Sequence, residues 1–332
     1  MLEVQDLKIH FTLQDGLFRP PRVLRAVDGV SLQIAAGETL GIVGESGCGK
    51  STLVRGILGL TPVTSGSIRW QGQELTRLNA RQFRPLRTQM QIVFQDPLAS
   101  LDPRMTIGEI IAEPLRVHRP KLSTAQVQAQ VRAMLERVGL SPRQLNRYPH
   151  EFSGGQCQRV GIARALILAP QLLLCDEPVS ALDVSIRAQI INLLQDLQQE
   201  MNLALAFIAH DLLVVRHLSH RVMVMYLGQV METAPSRTLF ANPSHPYTLA
   251  LLAAVPKPDP TMAAQAPPVL GGELPSPLNP PSGCRFRTRC PHAVQRCADE
   301  VPSLRPMPNG ASSACHFAEA VLAGDLAPFA IN

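Results

Sequence analysis

GESGCGKST, residues 44–52, is the stretch on which the reading turns. It follows the apolar run TLGIV (39–43) and leads into a segment of helical spacing at 50–60. The pattern G-x-x-x-x-G-K-S lets the backbone curl so that successive N–H groups face inward at phosphate oxygens. The helix start that follows adds positive partial charge. Gly44, Glu45, Ser46, Gly47, Cys48, Gly49, Lys50, Ser51 and Thr52 are therefore the candidate phosphate cradle. Lys50 suits the β- and γ-phosphates, and Ser51 suits a bound Mg²⁺. A plain strand-to-helix turn has no use for the Lys-Ser pair.

A second stretch, LLLCDEP (172–178), completes the chemistry. Its apolar residues carry the chain through a sheet and deliver two carboxylates at the carboxyl edge, where α/β proteins bind ligands. Asp176 is the candidate partner of Mg²⁺, and Glu177 the candidate activator of a hydrolytic water. The two stretches together define a Mg²⁺-dependent nucleoside triphosphatase.

The fold class follows from the same periodicities. Apolar runs at 39–44, 90–94, 172–176, 203–210 and 222–228 read as strands buried on both faces. Helical patterns at 50–60, 123–138, 155–168 and 184–200 alternate with them, with Ser123 and Ser153 at cap positions. An α/β domain over residues 1–255 is expected. Residues 256–281 hold nine prolines and read as an extended connector. Residues 282–332 form a small cysteine-rich extension that needs a staple to fold.

Composition narrows the classes. Of 332 residues 45% are hydrophobic, which suits a folded chain, and aromatics at 4% give few platforms for stacking single-stranded nucleic acid. The net charge of +5 could serve an anionic partner, yet residues 257–332 balance six basic against six acidic side chains. No apolar run reaches the ~18 residues of a spanning helix. The opening MLEVQDLKIHF carries charges where a signal peptide would be apolar. A cytosolic chain is expected, in which stable disulfides are rare. Cys48 and Cys175 read as small, buried, reduced residues, although the electropositive loop could still make Cys48 reactive toward thiol reagents.

FSGGQ (152–156) settles the family resemblance. Ser-Gly-Gly-Gln at a helix start is another phosphate-binding arrangement, and two such cradles suit one triphosphate only when two copies face each other. Together with VFQDP around Gln95, SALD (180–183) and IAHD around His210, the chain resembles the ATP-binding subunits of ABC transporters over residues 1–255. The resemblance implies a P-loop ABC ATPase core with a helical subdomain near 96–165. It implies a head-to-tail pair in which each ATP lies between one subunit's phosphate loop and the partner's Ser-Gly-Gly-Gln. On that basis Gln95 meets Mg²⁺ and the attacking water, and Ser153, Gly154, Gly155 and Gln156 clamp the partner's γ-phosphate. Asp183 crosses the interface, His210 holds the γ-phosphate beside Glu177, and Phe11 stacks on adenine.

A narrower resemblance, to the dipeptide/oligopeptide importer group and close to the second ATPase subunit of dipeptide importers, rests on further stretches. These are GLFRPPRVLRAVDGVS (16–31), QDPLASLDPRMTIGEII (95–111), NPSHPYTLALLAAVPKP (242–258) and GELPSPLNPPSGCRFRTRCPHA (272–293). It implies a peripheral protein on the cytoplasmic face of the inner membrane. Its partners would be a second, related ATPase subunit, two membrane permease subunits and a substrate-binding protein on the far side. Group members that move nickel or glutathione share the pattern. The resemblance also associates Cys284, Cys290, Cys297 and Cys315 with a 4Fe–4S cluster. Their separations of five, six and seventeen residues match no C-x₂-C knuckle, so Zn²⁺ in a Cys₄ site and free thiols stay open. A soluble ABC ATPase acting on nucleic acid or ribosomes is the rival reading. Against it, the chain shows no second ATPase unit and no basic block.

Overall fold

The computed structural model describes residues 1–14, 21–255 and 273–326, so most of the proline-rich connector and part of the 16–31 loop lie outside the described residues. The chain divides into two compact units. One comprises Met1, Ile34–Thr39 and Arg77–Ala209; the other comprises Leu2–Gln33, Leu40–Thr76 and His210–Asn332.

The first unit is built on three parallel strands, Met90–Val93, Leu172–Asp176 and Ala204–Ile208. Their register pairs Met90 with Leu172 and Asp176 with Ile208. All five residues of each of the last two strands are buried, as continuous apolar runs between covering helices require. Four helices of twelve or more residues accompany them: Ile107–His118, Thr124–Arg137, Gly154–Leu166 and Val184–Met201. The first three start with capping boxes, at Thr106, Ser123 and Ser153, and Asp183 caps the fourth. Sequence reading placed Ser123 and Ser153 in those roles. The helix Ile107–His118 continues through Pro114, which deprives the Ile110 carbonyl of its intrahelical donor.

The second unit carries two sheets. In one, Thr39–Val43 runs parallel to Arg221–Tyr226, pairing Leu40 with Arg221 and Val43 with Val224. Arg221–Tyr226 turns through Leu227 and Gly228, both at positive φ, into the antiparallel strand Gln229–Pro235. Two left-handed residues in a two-residue turn match the right-handed twist of the strands they join. The far side of Gln229–Pro235 is taken by Ser312–Ser313, which in turn pairs with Arg305–Pro306. The other sheet has the order Arg22–Ile34, Leu2–Leu13, Ser65–Trp70, Gln73–Glu74. Its strands alternate buried and exposed positions, so one face is wet. The described residues 273–326 do not stand apart: Phe286 is buried, with ring centroids 5.4 Å from Tyr226 and 5.2 Å from Tyr247.

Candidate nucleotide site

In the second unit, the strand Thr39–Val43 hands the chain to the loop 44–49, and the helix Lys50–Ile57 follows. Glycine is obligatory at two points. Gly44 has φ 151°, and a Cβ there would stand 2.2 Å from the Met225 carbonyl oxygen; Gly49 has φ 104°, and a Cβ would stand 2.0 Å from that of Ala26. Lys50 is buried and folds back over the loop: Nζ donates to the carbonyl oxygens of Gly44 at 2.8 Å and Glu45 at 3.0 Å. Ser46 and Gly47 are exposed, while Ser51 and Thr52 are half-buried at the first helical turn. Gly228 N–H donates to the Cys48 carbonyl at 2.9 Å, tying the loop to the turn after Tyr226. Cys48 is fully buried, and burial pushes its thiol up despite the nearby Lys50. Burial and a raised thiol both oppose the reagent sensitivity expected of it.

Glu45 is held from outside the loop. Its N–H donates to Tyr247 Oη at 3.0 Å, and its carboxylate accepts from Arg289 Nη1 at 2.6 Å. Both partners lie in the group-marking stretches 242–258 and 272–293, yet more than two hundred residues from Glu45, so the sequence does not announce either contact. Phe11 is half-buried near the end of the strand Leu2–Leu13. His210 is exposed beyond the strand Ala204–Ile208, and the next residue, Asp211, caps the helix Leu212–Leu218 through a bond from Leu213 N–H at 2.9 Å.

In the first unit, the strand Leu172–Asp176 ends with Asp176 buried and Glu177 half-buried. Glu177 is in the left-handed region, φ 49°, although it is not glycine, and its N–H donates to the Ile208 carbonyl at 3.1 Å. Non-glycine residues held there cluster at functional sites. Gln95 is exposed just after Met90–Val93, and its Nε2 donates to Glu177 Oε2 at 3.3 Å. Two residues singled out by different motifs are thus brought together.

The Ser-Gly-Gly-Gln segment is also in this unit. Ser153 Oγ accepts from Gln156 N–H at 3.4 Å, and Gln156 Oε1 accepts from Ser153 N–H at 3.0 Å. That box leaves the Ser153 hydroxyl proton uncommitted and both Ser153 and Gly154 exposed. Gly155 is buried, and a Cβ there would meet Ile186 Cγ2 at 2.3 Å. Asp183 Oδ1 accepts from Ile186 N–H at 3.0 Å and from Ser185 Oγ at 2.8 Å, which holds its carboxyl below the usual range.

Cys284, Cys290, Cys297 and Cys315 line one small cavity of about 20 Å³ in the second unit, with His245, His292 and His316 also on its wall. Burial pushes the Cys290 thiol up to about 12 and that of Cys315 up to about 11, helped by the neighbouring thiols. Among the described residues no set of three or more His, Cys, Asp or Glu side chains is arranged to hold a metal ion. The donor chemistry suits a soft metal, but the thiols as placed do not form a coordination shell.

The comparisons agree with this geometry. The ABC transporter family model matches residues 27–180, and the model of the oligopeptide/dipeptide transporter C-terminal region matches residues 231–297. The dimeric ATP-binding cassette MJ0796 in a post-hydrolysis state with ADP and Pi superposes with a TM-score of 0.65 at 29% identity, covering 71% of this chain and 99% of that one. The fold is therefore that of a P-loop ABC ATPase, with mixed α/β sheets. The oligopeptide transport ATP-binding protein OppF of Escherichia coli is 59% identical over 92% of each chain, and its namesake from Haemophilus influenzae 54% identical over 95% of this chain and 96% of its own. The chain belongs to the family of oligopeptide ABC transporter ATP-binding subunits, and it is an ATPase. Among the described residues no helix is long and apolar enough to cross a membrane.

Proposed function

We propose that this chain is an ATP-hydrolysing subunit of an importer that takes up peptides across the cytoplasmic membrane. It works as a peripheral protein on the cytoplasmic face of the inner membrane. Mg²⁺-ATP joins the 44–52 cradle to the Ser-Gly-Gly-Gln segment of a second, related ATPase subunit set head to tail. Lys50 takes the β- and γ-phosphates; Ser51, Gln95 and Asp176 serve Mg²⁺; Phe11 stacks on adenine. Ser153, Gly154, Gly155 and Gln156 clamp the partner's γ-phosphate, and Asp183 lies at the interface. Glu177, with His210 and Gln95, orients the attacking water. The helical subdomain near 96–165 passes closure to two permease subunits, and a substrate-binding protein delivers peptide from the far side. Splitting ATP leaves two like-charged products in the closed site, and the pair reopens.

The observation that carries this reading is the bond at 3.3 Å between Gln95 and Glu177, made where Glu177 sits in a left-handed backbone just after the apolar strand Leu172–Asp176. A water-activating carboxylate needs that kind of fixed orientation. The complex with its permeases, reconstituted in liposomes with the binding protein, tests it. ATP-dependent peptide accumulation that vanishes in Glu177→Gln is expected. Accumulation of nickel or glutathione but not peptide would reassign the cargo, and undiminished uptake by the variant would remove Glu177 from the mechanism.

We also propose a metal centre at Cys284, Cys290, Cys297 and Cys315, iron–sulfur with zinc as the alternative. Four thiol donors on one cavity support it. When bound, such a centre supplies the cross-link that a short segment with few apolar residues otherwise lacks. A cavity of about 20 Å³ takes one small guest, so a four-iron cluster requires the thiolates to move outward.

A further inference from the structure

Glu45 places a carboxylate inside a loop whose proposed task is to bind a polyanion. Its Oε2 stands 2.6 Å from Arg289 Nη1, and the two side chains are 26% and 6% exposed. The guanidinium also donates to Tyr226 Oη at 3.4 Å and lies over the Tyr226 ring, 5.9 Å from its centroid. The backbone is fixed from the same side, since Glu45 N–H donates to Tyr247 Oη at 3.0 Å. Tyr226, Tyr247 and Phe286 pack edge-on and tilted against one another, so both anchors grow from one aromatic cluster. The segment that delivers Arg289 is itself pinned four residues earlier, where Arg285 Nη2 meets Asp28 Oδ2 at 2.6 Å with both side chains nearly buried.

We infer that Arg289 is a positioning residue for ATP binding: it neutralises Glu45 and draws that carboxylate away from the triphosphate, while Tyr247 holds the same residue's backbone. This rests on the proposed role of the 44–52 loop. It makes the cysteine-bearing segment part of the nucleotide site, although no atom of that segment need touch nucleotide. In Arg289→Ala the freed carboxylate would repel the triphosphate, which weakens binding more than it alters the chemical step. Removing the carboxylate as well should undo the defect, and this separates a charge effect from a packing effect.

The test uses the purified transporter complex and Mg²⁺-ATP, with KM and kcat measured separately and the thermal midpoint recorded for each variant. Arg289→Ala should raise the KM for ATP about tenfold, the size expected for one charge-assisted bond, with kcat changed less than about twofold. Arg289→Lys should recover most of the loss. Glu45→Gln/Arg289→Ala should return KM to within about twofold of Glu45→Gln alone. An unchanged KM in Arg289→Ala, or a double variant as impaired as Arg289→Ala, would overturn the inference. Wild-type complex that neither binds nor hydrolyses ATP would instead overturn the function on which it rests.

Discussion

Lys50 closes its own loop: Nζ stands 2.8 Å from the Gly44 carbonyl oxygen, so the cation lies over the curled backbone. The ammonium is buried, and the loop supplies its hydrogen bonds. Lys50→Ala removes both the loop's brace and the charge meant for the phosphates. ATP turnover should fall by at least about 100-fold, the scale of losing a main electrostatic stabiliser. Phosphate release at saturating nucleotide measures it, and turnover near wild type would discard the cradle.

Glu177→Gln keeps the size of the side chain and tolerates the same left-handed backbone, so it isolates chemistry from fold. Hydrolysis should drop by about 10²–10⁴-fold while ATP is still bound. The variant should accumulate as a closed pair with nucleotide retained through gel filtration. Ready dissociation after ATP addition would show that this carboxylate does not control reopening.

Gly49→Ala tests the loop's geometry without altering charge. Its φ of 104° disfavours any side chain, and the added Cβ would stand 2.0 Å from the Ala26 carbonyl oxygen. The cost should exceed the ~1–2 kcal/mol of left-handed strain alone, because backbone must also shift. A lowered melting temperature together with lost ATP binding is expected, and Gly47→Ala, with open space around its Cβ, should be the milder of the two.

Cys284→Ser with Cys290→Ser addresses the proposed metal centre. Wild-type protein purified without air should be brown and carry iron and acid-labile sulfide, and the double variant should lose all three. Zinc in place of iron selects the alternative. A metal-free wild type with all four thiols titratable removes the centre altogether.

Much of the buried sheet was legible because its strands are continuous apolar runs: the expected spans at 39–44, 172–176 and 222–228 coincide with observed strands to within a residue or two. The wet sheet at Leu2–Leu13, Arg22–Ile34 and Ser65–Trp70 was less legible, because polar and charged residues break its apolar runs and a register shift between Gln5 and Lys8 interrupts the alternation. The motif residues fell where strand ends and helix caps put them, since each depends on its near neighbours in sequence. What stayed hidden was Tyr247 and Arg289 on Glu45. Both residues lie in stretches that mark the importer group, but nothing in those stretches signals a contact with the loop, and only the packing of Tyr226, Tyr247 and Phe286 brings them there.

The pairing of Ser312–Ser313 with Glu232 and Thr233 sets a limit on how this chain can be shortened. A truncation after residue 255 would keep every nucleotide motif, yet it would bare one side of Gln229–Pro235 and unroof Tyr226 and Tyr247. Unpaired backbone beside fresh apolar surface is a template for intermolecular strand addition. A minimal cassette cut at that point would be recovered as aggregate, and engineers seeking a smaller version should trim elsewhere.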